Sequence, residues 1–181
     1  MDGIQNTILF GDSITQFWSD FDPEFFKTHF LLNQGISGQT TTEMVGRFDN
    51  DVINYHPKKV VILAGINDIA ENNGPIALDA ILHNIQIMVN KSDQHNIDVI
   101  LCSLLPANRF YWNPKIQPAE KVLEFNNLLK KYAQLNAIKF VDYFPSMVDA
   151  TNGLLPQYGS DGVHPNLKGY INMKSILKPY L

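Results

Sequence analysis

Short apolar runs alternate along the chain with longer stretches in which apolar residues recur at helical spacing. That alternation is the pattern of a parallel sheet covered by helices on both faces. The apolar runs predict five strands, Thr7 to Gly11, Leu31 to Gln34, Val60 to Ala64, Asp98 to Leu104 and Lys139 to Tyr143. Between and after them, Thr42 to Tyr55, Ile76 to Gln94, Ala119 to Asn136 and Leu167 to Leu177 predict helices, with Ile81, Ile85, Met88 and Val89 as one apolar stripe. Pro57, Pro75, Pro118 and Pro165 fall at segment edges, where a missing N–H or a fixed φ does least harm. The piece from Pro106 to Pro118 follows neither period and carries Asn108, Arg109, Phe110, Tyr111 and Trp112. At the carboxyl end of a strand it reads as a binding loop or as a plug over a satellite core.

Composition narrows the picture. With 181 residues, 45% hydrophobic and 18% charged, the chain can bury a sizeable core, and the expected organisation is one domain over residues 1–181. There is no internal repeat, low-complexity tract or linker. A formal net charge of -4, from 14 basic and 18 acidic residues without a Lys or Arg run, offers no footprint for nucleic acid or anionic lipid. No stretch approaches the roughly 18 uninterrupted apolar residues that a spanning helix needs, so no membrane partner is expected, and a homodimer stays open. The one cysteine, Cys102, lies in an apolar run and reads as a buried, inert thiol. Met1 to Asn6 hold neither a basic segment nor an apolar stretch before a small-residue cleavage site. The cytoplasm is therefore the default residence, and a secreted or periplasmic one applies if a leader has been removed.

Candidate chemistry sits at strand ends. The first strand runs into Gly11-Asp12-Ser13, placing a hydroxyl where doubly wound sheets bind ligands, although Ser13 could equally cap the next helix. Near the other end, Asp161-Gly162-Val163-His164-Pro165 puts a carboxylate three residues before an imidazole, and Pro165 keeps His164 out of helical conformation. A carboxylate on one ring nitrogen fixes the tautomer and leaves the other free to accept the Ser13 proton, and a plain turn with a surface histidine is the alternative. The third strand ends in Gly65-Ile66-Asn67-Asp68, where Asn67 is a candidate donor to an oxyanion or a helix cap. After the second strand, the glycines of Gly35-Ile36-Ser37-Gly38 let backbone approach a substrate closely or simply make a turn. Together the four segments supply a nucleophile, a base oriented by an acid, and donors for a tetrahedral oxygen. Asp12 and Asp68, beside the site, are candidates either for substrate contact or for hydrogen bonds that support the site from behind, and Arg109 and Trp112, on the aromatic loop, are candidate substrate contacts; Trp18, Phe110, Tyr111 and Tyr158 could line a pocket or fill the core. His29, His56, His83 and His95 show no metal-ligand spacing, so no metal site is expected.

These ordered blocks resemble the SGNH, or GDSL-type, esterase/lipase family, named for a Ser, a Gly, an Asn and a His in separate blocks. The resemblance runs from Gly11 to Pro165 and implies a three-layer α/β, flavodoxin-like fold with a five-stranded parallel sheet. It also implies that Ser13 is the nucleophile, that Asp161 and His164 complete the triad, and that the N–H groups of Ser13 and Gly38 join Asn67 in the oxyanion hole. Ile66 departs from the Thr or Ala often found in the third block. Gly35 to Thr41 and Leu104-Leu105-Pro106 are most similar to platelet-activating-factor-acetylhydrolase-like and carbohydrate-acetylesterase-like members. The implied activity is hydrolysis of small esters with a short acyl group, without a cofactor; an inactive binding protein on the same scaffold is the alternative. A nucleotide-binding or receiver module is disfavoured by the absence of phosphate-cradle motifs, and an α/β-hydrolase by the absence of Gly-x-Ser-x-Gly.

Overall fold

In the computed structural model, which describes residues 6–181, the apolar runs form β1 (Thr7–Gly11), β2 (Leu31–Gly35), β3 (Lys59–Leu63), β4 (Asp98–Cys102) and β5 (Lys139–Val141). All pairs are parallel, and the order is β2-β1-β3-β4-β5. β1 is buried at every position, as a strand covered on both faces must be. The order reverses direction after β2, so right-handed crossovers put helices on both faces and open a crevice where β1 and β3 end. Register matters here. Gly11 pairs with both Gly35 and Leu63, so the segments carrying Ser13, Gly38 and Asn67 leave the sheet at one level.

The helices are α1 (Ser13–Phe21), α2 (Pro23–Thr28), α3 (Thr41–Asp51), α4 (Ile66–Ile69), α5 (Leu78–Gln94), α6 (Ala119–Leu135), α7 (Phe144–Met147) and α8 (Leu167–Leu177). The four helices expected from periodicity correspond to α3, α5, α6 and α8, while α1, α2, α4 and α7 were given no range, α1 and α4 being touched on only as helices that Ser13 and Asn67 could cap. Aspartates punctuate the missed pair α1 and α2: Asp12 caps α1 through Ile14 N–H, and Asp22 caps α2 through Phe25 N–H ahead of Pro23. α3 begins with a capping box in which Glu43 reaches back to the Thr40 N–H at 2.8 Å. β4 and β5 end earlier than expected because side chains take over from the ladder. The Asn126 amide satisfies both the N–H and the C=O of Leu104, and Ser103 Oγ accepts from the N–H groups of Tyr143 and Phe144.

The termini of the described chain are joined across one face. α8 packs on α1, where the rings of Trp18 and Tyr170 stack at 5.6 Å and the buried Tyr170 hydroxyl donates to Ile14 O at 2.9 Å. Lys174 reinforces this contact by pairing with Asp22. Cys102 is buried, and burial pushes its thiol up to about 12, so it is inert as expected. Among the described residues no helix is long and apolar enough to cross a membrane. The leader reading made on the first residues falls largely on Met1 to Gln5, outside the described residues.

Candidate active site

Ser13 is the first residue of α1, directly beyond the Asp12 cap, so the chain turns sharply from strand to helix at the nucleophile candidate. Its position is braced from below: Gly11 O accepts from Ile36 N–H at 3.1 Å and from Arg47 Nη2 at 2.9 Å. Arg47 lies over the Phe10 ring at 4.1 Å and also pairs with Asp51. A guanidinium used this way supports the first βα turn from beneath the sheet end rather than reaching a ligand.

The Asp161–His164 loop organises itself around one carboxylate. Asp161 Oδ1 accepts from the N–H groups of Val163 at 2.9 Å and His164 at 2.7 Å, and Oδ2 accepts from His164 Nδ1 at 2.6 Å. Gly162, at φ 81°, permits the reversal. Partial burial pushes the Asp161 carboxyl up, but the Val163 and His164 N–H groups together with the imidazole outweigh it and hold the acid below its ordinary value. With the Nδ1 proton directed at Asp161, Nε2 carries the lone pair, and Ser13 Oγ–H donates to it at 2.8 Å. Two residues 151 positions apart thus meet in a hydroxyl–imidazole–carboxylate chain. The Phe17 ring, 5.6 Å from the imidazole, flanks it.

Asn67 stands on α4, 5% exposed, and its Nδ2 donates to Gln39 O at 3.0 Å. That bond uses one of two amide protons and leaves the other for the cleft. Gly38, at φ 78°, lies opposite, and its N–H has no acceptor among the described residues. A cleft of about 250 Å³ is lined by Ser13, Ser37, Gly38, Asn67, Asn72, Trp112, Val163 and His164. Such a site can position a hydroxyl for attack on a carbonyl, take up its proton and surround the resulting oxyanion with N–H donors.

Four expected substrate contacts fare differently. Trp112 does line the cleft. Asp12 and Asp68 are corrected: they are 0% and 1% exposed, so neither touches a ligand in the cleft. Asp12 caps α1, and Asp68 accepts from the N–H and hydroxyl of Thr41, pinning the start of α3. Burial pushes the Asp12 carboxyl up to about 7 against the opposing Ile14 N–H bond, and burial also raises Asp68. Arg109 is not among the residues lining the cleft; its guanidinium lies 4.9 Å from the Tyr111 ring centroid, and its side chain runs beside Gly162. Of the other aromatics, Trp18 and Phe110 are core and Tyr111 is exposed. Ser37 and Asn72 line the cleft without having been singled out; Asn72 sits in Glu71-Asn72-Asn73-Gly74, which reads from sequence as an ordinary turn. Among the described residues, no group of three or more His, Cys, Asp or Glu side chains is placed to hold a metal ion.

Fold and site together define a class. Residues 9–170 match the GDSL-like Lipase/Acylhydrolase family, and the chain belongs to that family of carboxylic ester hydrolases. It is similar to a GDSL-like lipase from Bacteroides thetaiotaomicron VPI-5482, whose crystal structure superposes with a TM-score of 0.96 at 41% identity, covering 99% of this chain and 89% of that one. Platelet-activating factor acetylhydrolase IB subunit alpha2 of Rattus norvegicus is 28% identical over 178 residues, 96% of this chain and 73% of that protein. The uncharacterized lipoprotein YqeF of Bacillus subtilis (strain 168) is 26% identical over 141 residues, 68% of this chain, and the match spans 58% of that relative's length.

Proposed function

We propose that the chain is a serine esterase that cleaves small carboxylic esters through an acyl-enzyme on Ser13, its residues 1–181 acting as one SGNH hydrolase domain. The observation that carries this reading is the pair of contacts at His164, 2.8 Å from Ser13 Oγ and 2.6 Å from Asp161. Ser13 Oγ attacks the ester carbonyl as its proton passes to His164 Nε2, and Asp161 stabilises the imidazolium. The negative charge on the carbonyl oxygen settles against the N–H groups of Ser13 and Gly38 and the side chain of Asn67. Collapse expels the alcohol, which takes its proton from His164, and water then repeats the sequence on the acyl-enzyme.

The acyl group is short, with acetyl preferred. A cleft of about 250 Å³ supports this, as does similarity to a relative named an acetylhydrolase. The alcohol half is a carbohydrate or a lysolipid-like alcohol; the half-exposed ring of Trp112, which lines the cleft, offers an apolar face for either. Turnover of p-nitrophenyl acetate by wild type and not by Ser13→Ala, with rates falling as the acyl chain lengthens to butyrate and octanoate, is the expected result. Acetylated sugars and an acetylated lysolipid then separate the alcohols. Activity surviving Ser13→Ala, or a wild type inert toward every ester, defeats the proposal.

A further inference from the structure

We propose that Asn72 is a positioning residue that sets which way the Asn67 amide faces and, through Trp112, couples that orientation to the aromatic loop; the proposal rests on the esterase reading of this cleft. α4 ends in a reversal in which Glu71, at φ 58°, lies in the left-handed region. There Glu71 N–H donates to Asp68 O at 2.9 Å and Asn72 N–H to Asn67 O at 3.1 Å, the two bonds of a Schellman motif. A left-handed conformation at a residue other than glycine is held only where the surroundings demand it. Its effect here is to fold Asn72 back over Asn67.

The side chains then form a chain whose polarity is determined from both ends. An indole N–H can only donate, so the Trp112 Nε1 contact at 3.2 Å identifies the facing Asn72 atom as Oδ1. The Asn72 amide nitrogen must therefore point the other way, where its two protons meet Asn67 Oδ1 at 3.0 Å and Gly38 O at 3.2 Å. With Oδ1 so engaged, Asn67 turns its nitrogen toward Gln39 O, which can only accept, and keeps its remaining proton for the cleft. Reversing the Asn67 amide would set oxygen against Gln39 O, nitrogen against nitrogen at Asn72, and oxygen toward the reacting carbonyl. One side chain thus holds the correct face of Asn67 and the chain at Gly38, both beside Ser13.

Asn72→Asp tests this. The introduced carboxylate still accepts from Trp112 but offers Asn67 only an acceptor, which favours the reversed amide. Expected is a roughly 10- to 100-fold fall in kcat on p-nitrophenyl acetate with KM little changed and the melting temperature kept, against roughly 100- to 1,000-fold for Asn67→Ala. The deciding measurement is the double variant. If Asn72 acts through Asn67, Asn72→Asp costs nothing more once Asn67 is Ala; a direct charge effect or a structural role would slow both backgrounds alike. Equal losses in the two backgrounds, or wild-type kcat in Asn72→Asp, overturn the proposal. Should Asn72→Asp fail to fold, Trp112→Phe at an exposed position removes the donor from the far end, and a several-fold kcat loss present with Asn67 and absent without it is expected. Failure of the esterase reading itself shows separately, as Ser13→Ala matching wild type.

Discussion

Replacing Asp12 by Asn should remove a pH dependence of stability that the wild type carries. Asp12 is fully buried beside Ser13; Oδ1 accepts from Ile14 N–H at 2.9 Å, and Oδ2 has no hydrogen-bond partner among the described residues. Burial raises this acid from an ordinary 3.8 to about 7, so the folded protein holds the proton more tightly than the unfolded chain. Stability is then greatest at low pH, declines as pH rises from 3.8 through about 7, and is constant above. From about pH 5 to about pH 8 the chain crosses roughly two units of that window, worth about 3 kcal/mol at about 1.4 kcal/mol per unit. For a chain of this length that is a drop of roughly 6–12 °C in melting temperature. Asp12→Asn keeps the Oδ1 cap and cannot ionise. Its amide nitrogen lacks an acceptor, a pH-independent cost of about 1–3 kcal/mol relative to the protonated acid. The variant is therefore the less stable protein at low pH and loses that disadvantage as the wild type declines. Calorimetric melting of both proteins at the two pH values isolates the effect, because every other titratable group is common to both. Parallel profiles would refute the reasoning.

Asp161→Asn should leave the fold intact while kcat on p-nitrophenyl acetate falls by about 10⁴-fold, because the amide no longer enforces the Nδ1–H tautomer; steady-state kinetics alongside circular dichroism checks both halves. Because Asp161 is held below its ordinary value, its stabilising contacts persist above the usual carboxylate range and are lost as pH falls through and below it. Gly35→Ala should destabilise by about 3 kcal/mol or more, since a Cβ there would lie 2.6 Å from Gln16 Cα and backbone must move; denaturant titration reads this out. Leu101→Ala, at a fully buried position in β4, should lower stability by about 2–5 kcal/mol through the cavity it leaves while turnover at low temperature stays near wild type.

Much of this was legible in the residue order because it depended on local physics. A strand covered on both faces must be apolar throughout, so β1 and β3 stood out as runs; the start of α8 was readable because Pro165 marks a segment edge. The Asp161–His164 pairing was local too, three residues joined by one carboxylate's geometry. α1 carries an apolar stripe of Ile14, Phe17, Trp18 and Phe21 that the motif at Ser13 overshadowed, and α2, only six residues long, is too short for a period to show. Both start at aspartate caps that read equally as loop. The ends of β4 and β5 escaped because Asn126 and Ser103, distant in sequence, substitute for strand partners.

What the order of residues could not decide was meeting and facing. Ser13 and His164 touch because a doubly wound sheet returns its last helix to α1, where Tyr170 and Trp18 lock it, and no spacing in the chain encodes that 2.8 Å contact. Proximity in sequence left Asp12 and Asp68 between reaching substrate and supporting the site from behind; packing turned both carboxylates inward to the supporting role, and an Asn in an ordinary-looking turn came to rest against the oxyanion side chain. Amino-acid types settle which chemistry is available, since a hydroxyl, an imidazole and an amide keep their protons and lone pairs anywhere. Only the packed chain decides which of those groups face one another, because burial and hydrogen-bond direction belong to three-dimensional neighbours.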